Sequence, residues 1–125
     1  MIRNFLIVGL GGGIGSVARY LAQKWVGQNY PHPFPWGTFA VNLLGCFLIG
    51  LIYAASEKSA LVGPQTRLLL VTGFCGGFTT FSTFAFENMS LLRGGDYVYL
   101  IIYVLSSVVL GIAAVFAGIA LMKLI

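Results

Sequence analysis

Uncharged, mostly apolar stretches divide the chain into four segments of membrane-spanning length. A helix that crosses a bilayer needs about 20 apolar residues, and the pattern predicts helices over residues 4–23, 36–56, 67–92 and 96–122. Gly, Pro, Asn and most of the charged residues lie between these segments. Because the four segments use nearly the whole chain, the sequence predicts an all-α membrane protein with a single transmembrane domain, 1–125.

The composition supports this assignment. Hydrophobic residues make up 58% of the chain and charged residues 8%, whereas soluble domains average about 25% charged residues. The net charge of +4 comes from basic residues scattered singly along the chain, and nucleic-acid-binding surfaces instead cluster their positive charge. We therefore expect a multi-pass membrane protein that binds no nucleic acid.

The basic residues do not define one orientation in the membrane. If the N-terminus is cytoplasmic, the cytoplasmic side has a small excess of basic residues: Arg3, Lys58, Arg67 and Lys123. The opposite side carries Lys24 and Arg93, with Arg19 close by. So small an excess is weak under the positive-inside rule. Insertion in both orientations is plausible, and with it an antiparallel dimer.

Glycine recurs at four-residue spacing in the first and third segments. Small residues at this spacing let membrane helices approach closely. Close approach matters in a membrane because apolar side chains gain little from burial when lipid is the solvent. The spacing predicts a tight bundle and an oligomer; the pairs are Gly9 with Gly13, Gly11 with Gly15, and Gly73 with Gly77.

The third segment has an unusual centre, in which Gly76 and Gly77 are followed by Thr79 and Thr80. Each Gly costs a helix about 1 kcal/mol relative to Ala, so we expect a break near Gly76. Backbone groups freed at membrane depth must be buried in protein or line a wet cavity, and broken membrane helices use them to bind ions. The residues from Gly76 to Thr80 are therefore the first candidate for an ion site.

Beyond the break, helical spacing sorts the side chains into two stripes. Phe81, Phe84 and Asn88 form the first stripe, and Thr80, Thr83 and Glu87 form the second. The phenylalanines could simply pack in the core or face lipid. That reading leaves the polar stripe unexplained, because an ionisable group such as Glu87 is costly inside a span and is commonly functional.

The other segments add hydrogen-bond donors. Asn42 lies one turn beyond Thr38 in the second segment, and Tyr103 and Ser107 lie one turn apart in the fourth. Asn42 could join two helices, a contact worth about 0.6 kcal/mol, or offer N–H groups to a permeating anion. A donor-lined path without fixed positive charge suits a small, strongly hydrogen-bonding anion better than a cation.

The sequence offers no signs of catalysis. Cys46 and Cys75 both fall inside apolar segments, where packing is the simplest role, and His32 is isolated in a Pro-rich loop. No pairing of nucleophile and base and no metal-binding cluster is present, so we do not expect an enzyme.

The motifs together closely resemble the Fluc (CrcB) fluoride channels of microbes. The resemblance covers essentially the full chain, including its length, its four segments and the order of its motifs. It rests on three motifs: Gly15-x-x-x-Arg19-Tyr20, Gly37-Thr38-x-x-Val41-Asn42-x-x-Gly45, and Gly73-Phe74-x-Gly76-Gly77-x-Thr79-Thr80-Phe81-Ser82-Thr83-Phe84.

The resemblance implies a multi-pass protein of the cell (inner or cytoplasmic) membrane. It implies an antiparallel, dual-topology homodimer with two pathways that passively export fluoride and lower its cytoplasmic concentration. It implies a structural Na⁺ at the dimer centre, held by backbone carbonyls of Gly76 and Thr79. It places Arg19 near a vestibule and implies that Phe81 and Phe84 line the pathway, where positive ring edges can face an anion without trapping it. The polar pathway residues that it implies are Thr38, Asn42, Ser82, Thr83, Glu87, Tyr103 and Ser107.

One residue departs from the family pattern, and two other protein classes compete with the channel. Some relatives have a serine where this chain has Gly111, so the end of the polar track is expected to hydrate differently. A small multidrug exporter is also built from four helices in an antiparallel dimer, but it needs an acidic residue in the first helix, which here has only Arg19. An accessory membrane subunit would explain the glycines but not the hydroxyl-rich third segment.

Overall fold

The computed structural model describes residues 1–125 and contains four helical segments long and apolar enough to cross a membrane. This confirms the prediction of an all-helical, four-span chain. The first, second and fourth segments are α1 (Ile2–Asn29), α2 (Trp36–Lys58) and α6 (Tyr97–Leu124). Helix α1 continues six residues beyond the predicted end at 23, because its polar end has no residue that breaks a helix before Pro31.

The third segment is not one continuous α-helix. It consists of α3 (Pro64–Arg67), a π-helix (Leu68–Cys75), α4 (Gly76–Phe78) and, after two extended residues, α5 (Phe81–Arg93). The extended residues are Thr79, with φ −91° and ψ 158°, and Thr80, with φ −150° and ψ 121°.

The interruption lies three residues beyond the position expected from the glycines. Gly76 is helical, with φ −62° and ψ −36°, and the chain leaves the helix at Thr79 and Thr80 instead. Two physical effects account for this position. Gly77 packs closely against Gly12 of α1, and β-branched threonine is stiff at χ1 and adopts extended backbone readily.

Close backbone contact holds α1 against the third segment. A Cβ added at Gly15 would collide with the Phe74 carbonyl, and one at Gly77 would collide with the Gly12 carbonyl. Gly9 and Gly13 behave differently, since added Cβ atoms there would meet nothing within 4 Å. Only some of the spaced glycines therefore serve packing inside the subunit.

Little of the chain is buried within a single subunit. Only 15 of 125 residues are buried, and large apolar side chains such as Leu10 and Phe116 are exposed on the outer faces of the helices. Such a surface suits lipid or another protein chain rather than water.

The Pro-rich loop between α1 and α2 folds back onto the bundle. Phe34 at its tip is buried and packs against Phe39 and Tyr103, with ring centroids 5.6 and 5.2 Å away. The Phe34 N–H donates a hydrogen bond to His32 Nδ1 at 3.0 Å. This loop therefore forms one wall of the space between α1, α2 and α5.

Candidate functional site

Asn42 on α2 binds the backbone of Thr80 with both ends of its amide. The Thr80 N–H donates to Asn42 Oδ1 at 2.8 Å, and Asn42 Nδ2 donates to the Thr80 carbonyl at 3.1 Å. In a continuous helix the Thr80 N–H would bond to the Gly76 carbonyl. Asn42 thus replaces helical hydrogen bonds at the point where the third segment is interrupted, as backbone at membrane depth requires.

Arg19 on α1 satisfies another backbone group at the interruption. Its Nε donates to the Gly77 carbonyl at 2.9 Å, which has lost its helical partner because the Phe81 N–H makes no bond back to α4. Arg19 is partly buried and does not line the cavities described below. Its predicted role in a vestibule stays a prediction.

The two threonines at the interruption complete the local network. The Thr79 hydroxyl donates to the Cys75 carbonyl at 2.9 Å. The Thr80 hydroxyl accepts from the Thr83 N–H at 3.2 Å and so caps the start of α5, a contact typically worth about 1 kcal/mol. The same hydroxyl donates to Thr83 Oγ1 and lies 3.4 Å from the Ser82 hydroxyl.

Three carbonyl groups at the interruption have no backbone donor from α5. No N–H group of Thr80, Phe81 or Ser82 bonds back to the preceding helix, and the Thr83 N–H donates to the Thr80 hydroxyl rather than to the Thr79 carbonyl. The carbonyls of Gly76, Phe78 and Thr79 are left without the partners that a continuous helix would supply. Carbonyl oxygens of this kind are suitable ligands for a hard cation.

Glu87 accepts hydrogen bonds from two neighbouring helices. The Tyr103 hydroxyl donates to Oε1 at 2.8 Å, and the Thr38 hydroxyl donates to Oε2 at 2.9 Å. Thr38 is 2% exposed and Tyr103 is fully buried. The structure therefore brings three of the predicted polar residues together around one carboxylate.

Gln23 extends this network to α1, and sequence reasoning missed it. Its Nε2 donates to Thr38 Oγ1 at 3.0 Å. Gln23 lies four residues after Arg19, on the same face of α1. That spacing is the signal that could have found it.

Two outer cavities meet at Glu87. One, of about 530 Å³, lies between the end of α1, the Pro-rich loop and α5, and its polar wall includes Gln23, Thr38, Thr83 and Glu87. The other, of about 420 Å³, lies between the loop and α5 and is lined by Glu87, His32, Ser90 and Asp96 among others.

An inner cavity of about 290 Å³ lies beside the interruption. Phe84 forms part of its wall, and the Phe84 ring packs 4.8 Å from Tyr103 and 5.7 Å from Phe81. Phe84 therefore contacts both this cavity and Tyr103 of the Glu87 network. Its other lining residues are Asn42, Cys46, Ile49, Thr79, Thr80, Phe81, Ser107 and Val108.

The predicted residues thus fall into an outer group and an inner group. Thr38, Thr83, Glu87 and Tyr103 form the outer group, and Asn42, Thr79, Phe81, Phe84 and Ser107 form the inner group. Two predicted residues, Ser82 and Gly76, are exposed and line none of these cavities.

These features define a multi-pass helical membrane protein with polar cavities between its helices. Residues 6–119 match the family model described as CrcB-like protein, Camphor Resistance (CrcB), and the chain belongs to this family.

Three relatives named "Fluoride-specific ion channel FluC" are similar over nearly their full length. The protein from Leptospira interrogans is 48% identical over 121 residues, covering 97% of this chain and 95% of the relative. The protein from Chlorobium phaeobacteroides is 52% identical over 122 residues, covering 95% and 92%. The protein from Bacteroides fragilis is 49% identical over 120 residues, covering 94% of each.

Proposed function

We propose that this chain is a fluoride-specific ion channel that exports fluoride passively across the cytoplasmic membrane. The observation that carries the proposal is the near full-length similarity to relatives named as such channels. The polar groups between the helices support it, because hydroxyl and amide donors line the larger outer cavity and the inner cavity. The multidrug exporter is not favoured, since α1 contains no acidic residue.

The proposed path begins in the outer cavities and passes the Glu87 network. Both hydroxyl protons at Glu87 are committed to the carboxylate. An anion that takes a hydrogen bond from Thr38 or Tyr103 must therefore compete with that carboxylate. Fluoride, a small and strong hydrogen-bond acceptor, can do so better than chloride, and this competition is the basis of selectivity that we propose.

In the proposed path, fluoride moves past Phe84 and Phe81 between the outer group and the inner cavity. The rim of an aromatic ring is the positive end of its quadrupole, so it can face an anion in place of lost water. Such contacts are weak compared with a fixed cationic charge. Weak binding favours conduction, because the ion must leave as readily as it arrives.

Asn42 is proposed to act both on the backbone and on the ion. One hydrogen of its Nδ2 is used by the Thr80 carbonyl. The second hydrogen remains, and Asn42 lines the inner cavity together with Ser107. In this role Asn42 and Ser107 supply donors to fluoride beyond the phenylalanines.

A structural sodium ion and a second subunit complete the proposed assembly. The carbonyls of Gly76 and Thr79 lack helical donors, which fits an oxygen-only cation site, and two oxygens from one subunit would leave that site incomplete. An antiparallel homodimer would supply the rest. The exposed face that carries Gly9 and Gly13, and the Phe81 side chain, which is 78% exposed, support a partner chain.

Fluoride efflux from liposomes tests the proposed function. Purified protein is reconstituted with fluoride inside, and release is followed with a fluoride electrode, with chloride release measured in parallel. We expect rapid fluoride release and negligible chloride release. Absence of fluoride release from folded protein would overturn the proposal.

Exchange of the cation tests the sodium site separately. Replacing Na⁺ by N-methyl-D-glucamine in the purification buffer should lower the thermal stability of the assembled protein. Equal stability in both buffers would contradict a structural sodium ion without bearing on fluoride transport.

A further inference from the structure

When Glu87 is ionised, the hydrogen bonds around Thr38 have only one consistent direction. A threonine hydroxyl carries one hydrogen, and here that hydrogen is donated to Glu87 Oε2. The Thr38 oxygen can therefore only accept from Gln23, so the Gln23 amide nitrogen must face it, at 3.0 Å. The chain of donors runs from Gln23 to Thr38 to Glu87.

Gln23 is held in place by its backbone as well as by this hydrogen bond. A Cβ added at Gly37 would come within 3.3 Å of Gln23 Cα, so α1 and α2 are in close contact at this point. The Gln23 side chain lines the larger outer cavity beside Thr38 and Glu87. It is the part of the network contributed by α1.

In this arrangement the Thr38 hydroxyl hydrogen can change its acceptor while the Thr38 oxygen stays fixed. If an anion competes with Glu87 for the Thr38 proton, the hydroxyl hydrogen must turn, while the oxygen can stay where it is. The Gln23 N–H holds that oxygen, and donation to an oxygen also strengthens the bond that its own hydrogen makes. Without Gln23, no side-chain donor would hold the Thr38 oxygen in place.

We propose that Gln23 is a positioning residue of the fluoride pathway, acting through the Thr38 hydroxyl. The inference rests on the proposed path past Thr38 and Glu87. It predicts that Gln23 affects the rate of fluoride transport only while the Thr38 hydroxyl is present. A purely structural role for Gln23 would not depend on that hydroxyl.

The experiment compares fluoride efflux in liposomes for four proteins: wild type, Gln23→Met, Thr38→Val and the double variant. Methionine keeps the length of the side chain and removes the donor. We expect Gln23→Met to slow fluoride release about fivefold, which corresponds to the loss of one neutral hydrogen bond. In the Thr38→Val background the same change should have no further effect.

Gln28→Met is the matched control. Gln28 lies on the same helix, is exposed and lines none of the described cavities. We expect it to transport fluoride at the wild-type rate.

The possible outcomes distinguish failure of this inference from failure of the proposed function or of the proposed path. Wild-type protein that releases no fluoride would overturn the function, and a fast Thr38→Val variant would overturn the path and the inference with it. A slow Thr38→Val variant together with a fast Gln23→Met variant would overturn only the role of Gln23. If the double variant is slowed by the product of the two single slowdowns, Gln23 and Thr38 act independently. That result would also overturn only the role of Gln23.

A second variant keeps the test decisive if Gln23→Met fails to assemble. Gln23→Glu has the same shape, but a carboxylate can only accept from Thr38 and would turn its hydroxyl away from Glu87. We expect this change to slow release more in the presence of Thr38 than in the Thr38→Val background. Equal slowing in both backgrounds would mean that only the added charge matters, and would overturn the inference.

Discussion

Replacing Asn42 by leucine should weaken the interruption of the third segment and slow fluoride transport together. Leucine has the same branched arrangement of side-chain heavy atoms and can replace neither hydrogen bond to the Thr80 backbone. The change therefore removes two hydrogen bonds and leaves one N–H and one carbonyl without their partner.

The size of the effect depends on whether water can reach these groups. Each hydrogen bond contributes about 1 kcal/mol net, and a buried group left unpaired costs about 1–3 kcal/mol. Asn42 and Thr80 both line the inner cavity of about 290 Å³, so water can reach the freed groups. We therefore expect the low end of the range, about 2 kcal/mol for the two bonds.

Asn88→Leu is a matched control in the same membrane region. Asn88 Nδ2 bonds only to the Phe84 carbonyl of its own helix, and its Oδ1 is buried without a partner. Removing such a group costs little and can even stabilise the protein. Asn88→Leu therefore removes one hydrogen bond within a helix and one unpaired acceptor, whereas Asn42→Leu removes two hydrogen bonds to the Thr80 backbone.

Thermal unfolding in detergent, followed by circular dichroism, and fluoride efflux from liposomes measure the two effects. Asn42→Leu should lower the unfolding midpoint and the fluoride rate, and Asn88→Leu should leave the midpoint unchanged or raise it. If Asn42→Leu were as stable as wild type, the amide would not hold the Thr80 backbone. Equal losses in both variants would also refute the reasoning.

Other substitutions test separate parts of the structure. Phe81→Ile should nearly abolish fluoride flux with assembly intact, because it removes the ring edge while keeping much of the size; unchanged flux would exclude a role for the ring. Gly15→Ala should destabilise the protein by about 1–3 kcal/mol through overpacking, whereas Gly27→Ala, with no atom within 4 Å of the added Cβ, should not; equal unfolding midpoints would contradict close packing of α1. Gly111→Ser should fold normally, because the nearest atom to an added Cβ is Cys46 Sγ at 3.7 Å, and a large loss of stability would show that the site is tighter than this distance indicates.

Local features of the chain were predictable without tertiary structure. The four spans follow from the length of the apolar stretches. Helical spacing placed Thr80, Thr83 and Glu87 on one stripe; Thr83 and Glu87 do line one cavity, whereas Thr80 has extended backbone and lines the inner cavity. The interruption was expected from Gly76 and Gly77 but lies at Thr79 and Thr80. Propensity ranks residues by their intrinsic preference, and here close packing against Gly12 of α1 keeps Gly77 in the helix.

Spacing alone could not tell which glycines would be in contact. The pair Gly9 and Gly13 has the same spacing as Gly11 and Gly15, yet only the second pair is buried against the third segment. The two pairs lie on different faces of α1, and the rotation of a helix about its axis depends on what packs against it.

The sequence by itself determined that this is a four-span helical membrane protein with a polar third segment, and its motifs pointed to the family. Those properties depend on residue type and on local periodicity. The tertiary structure alone decided that Gln23 and Thr38 meet Glu87 and that Asn42 binds the Thr80 backbone. Such pairs are 15 to 49 residues apart, and their meeting depends on how the helices are rotated and offset when they pack.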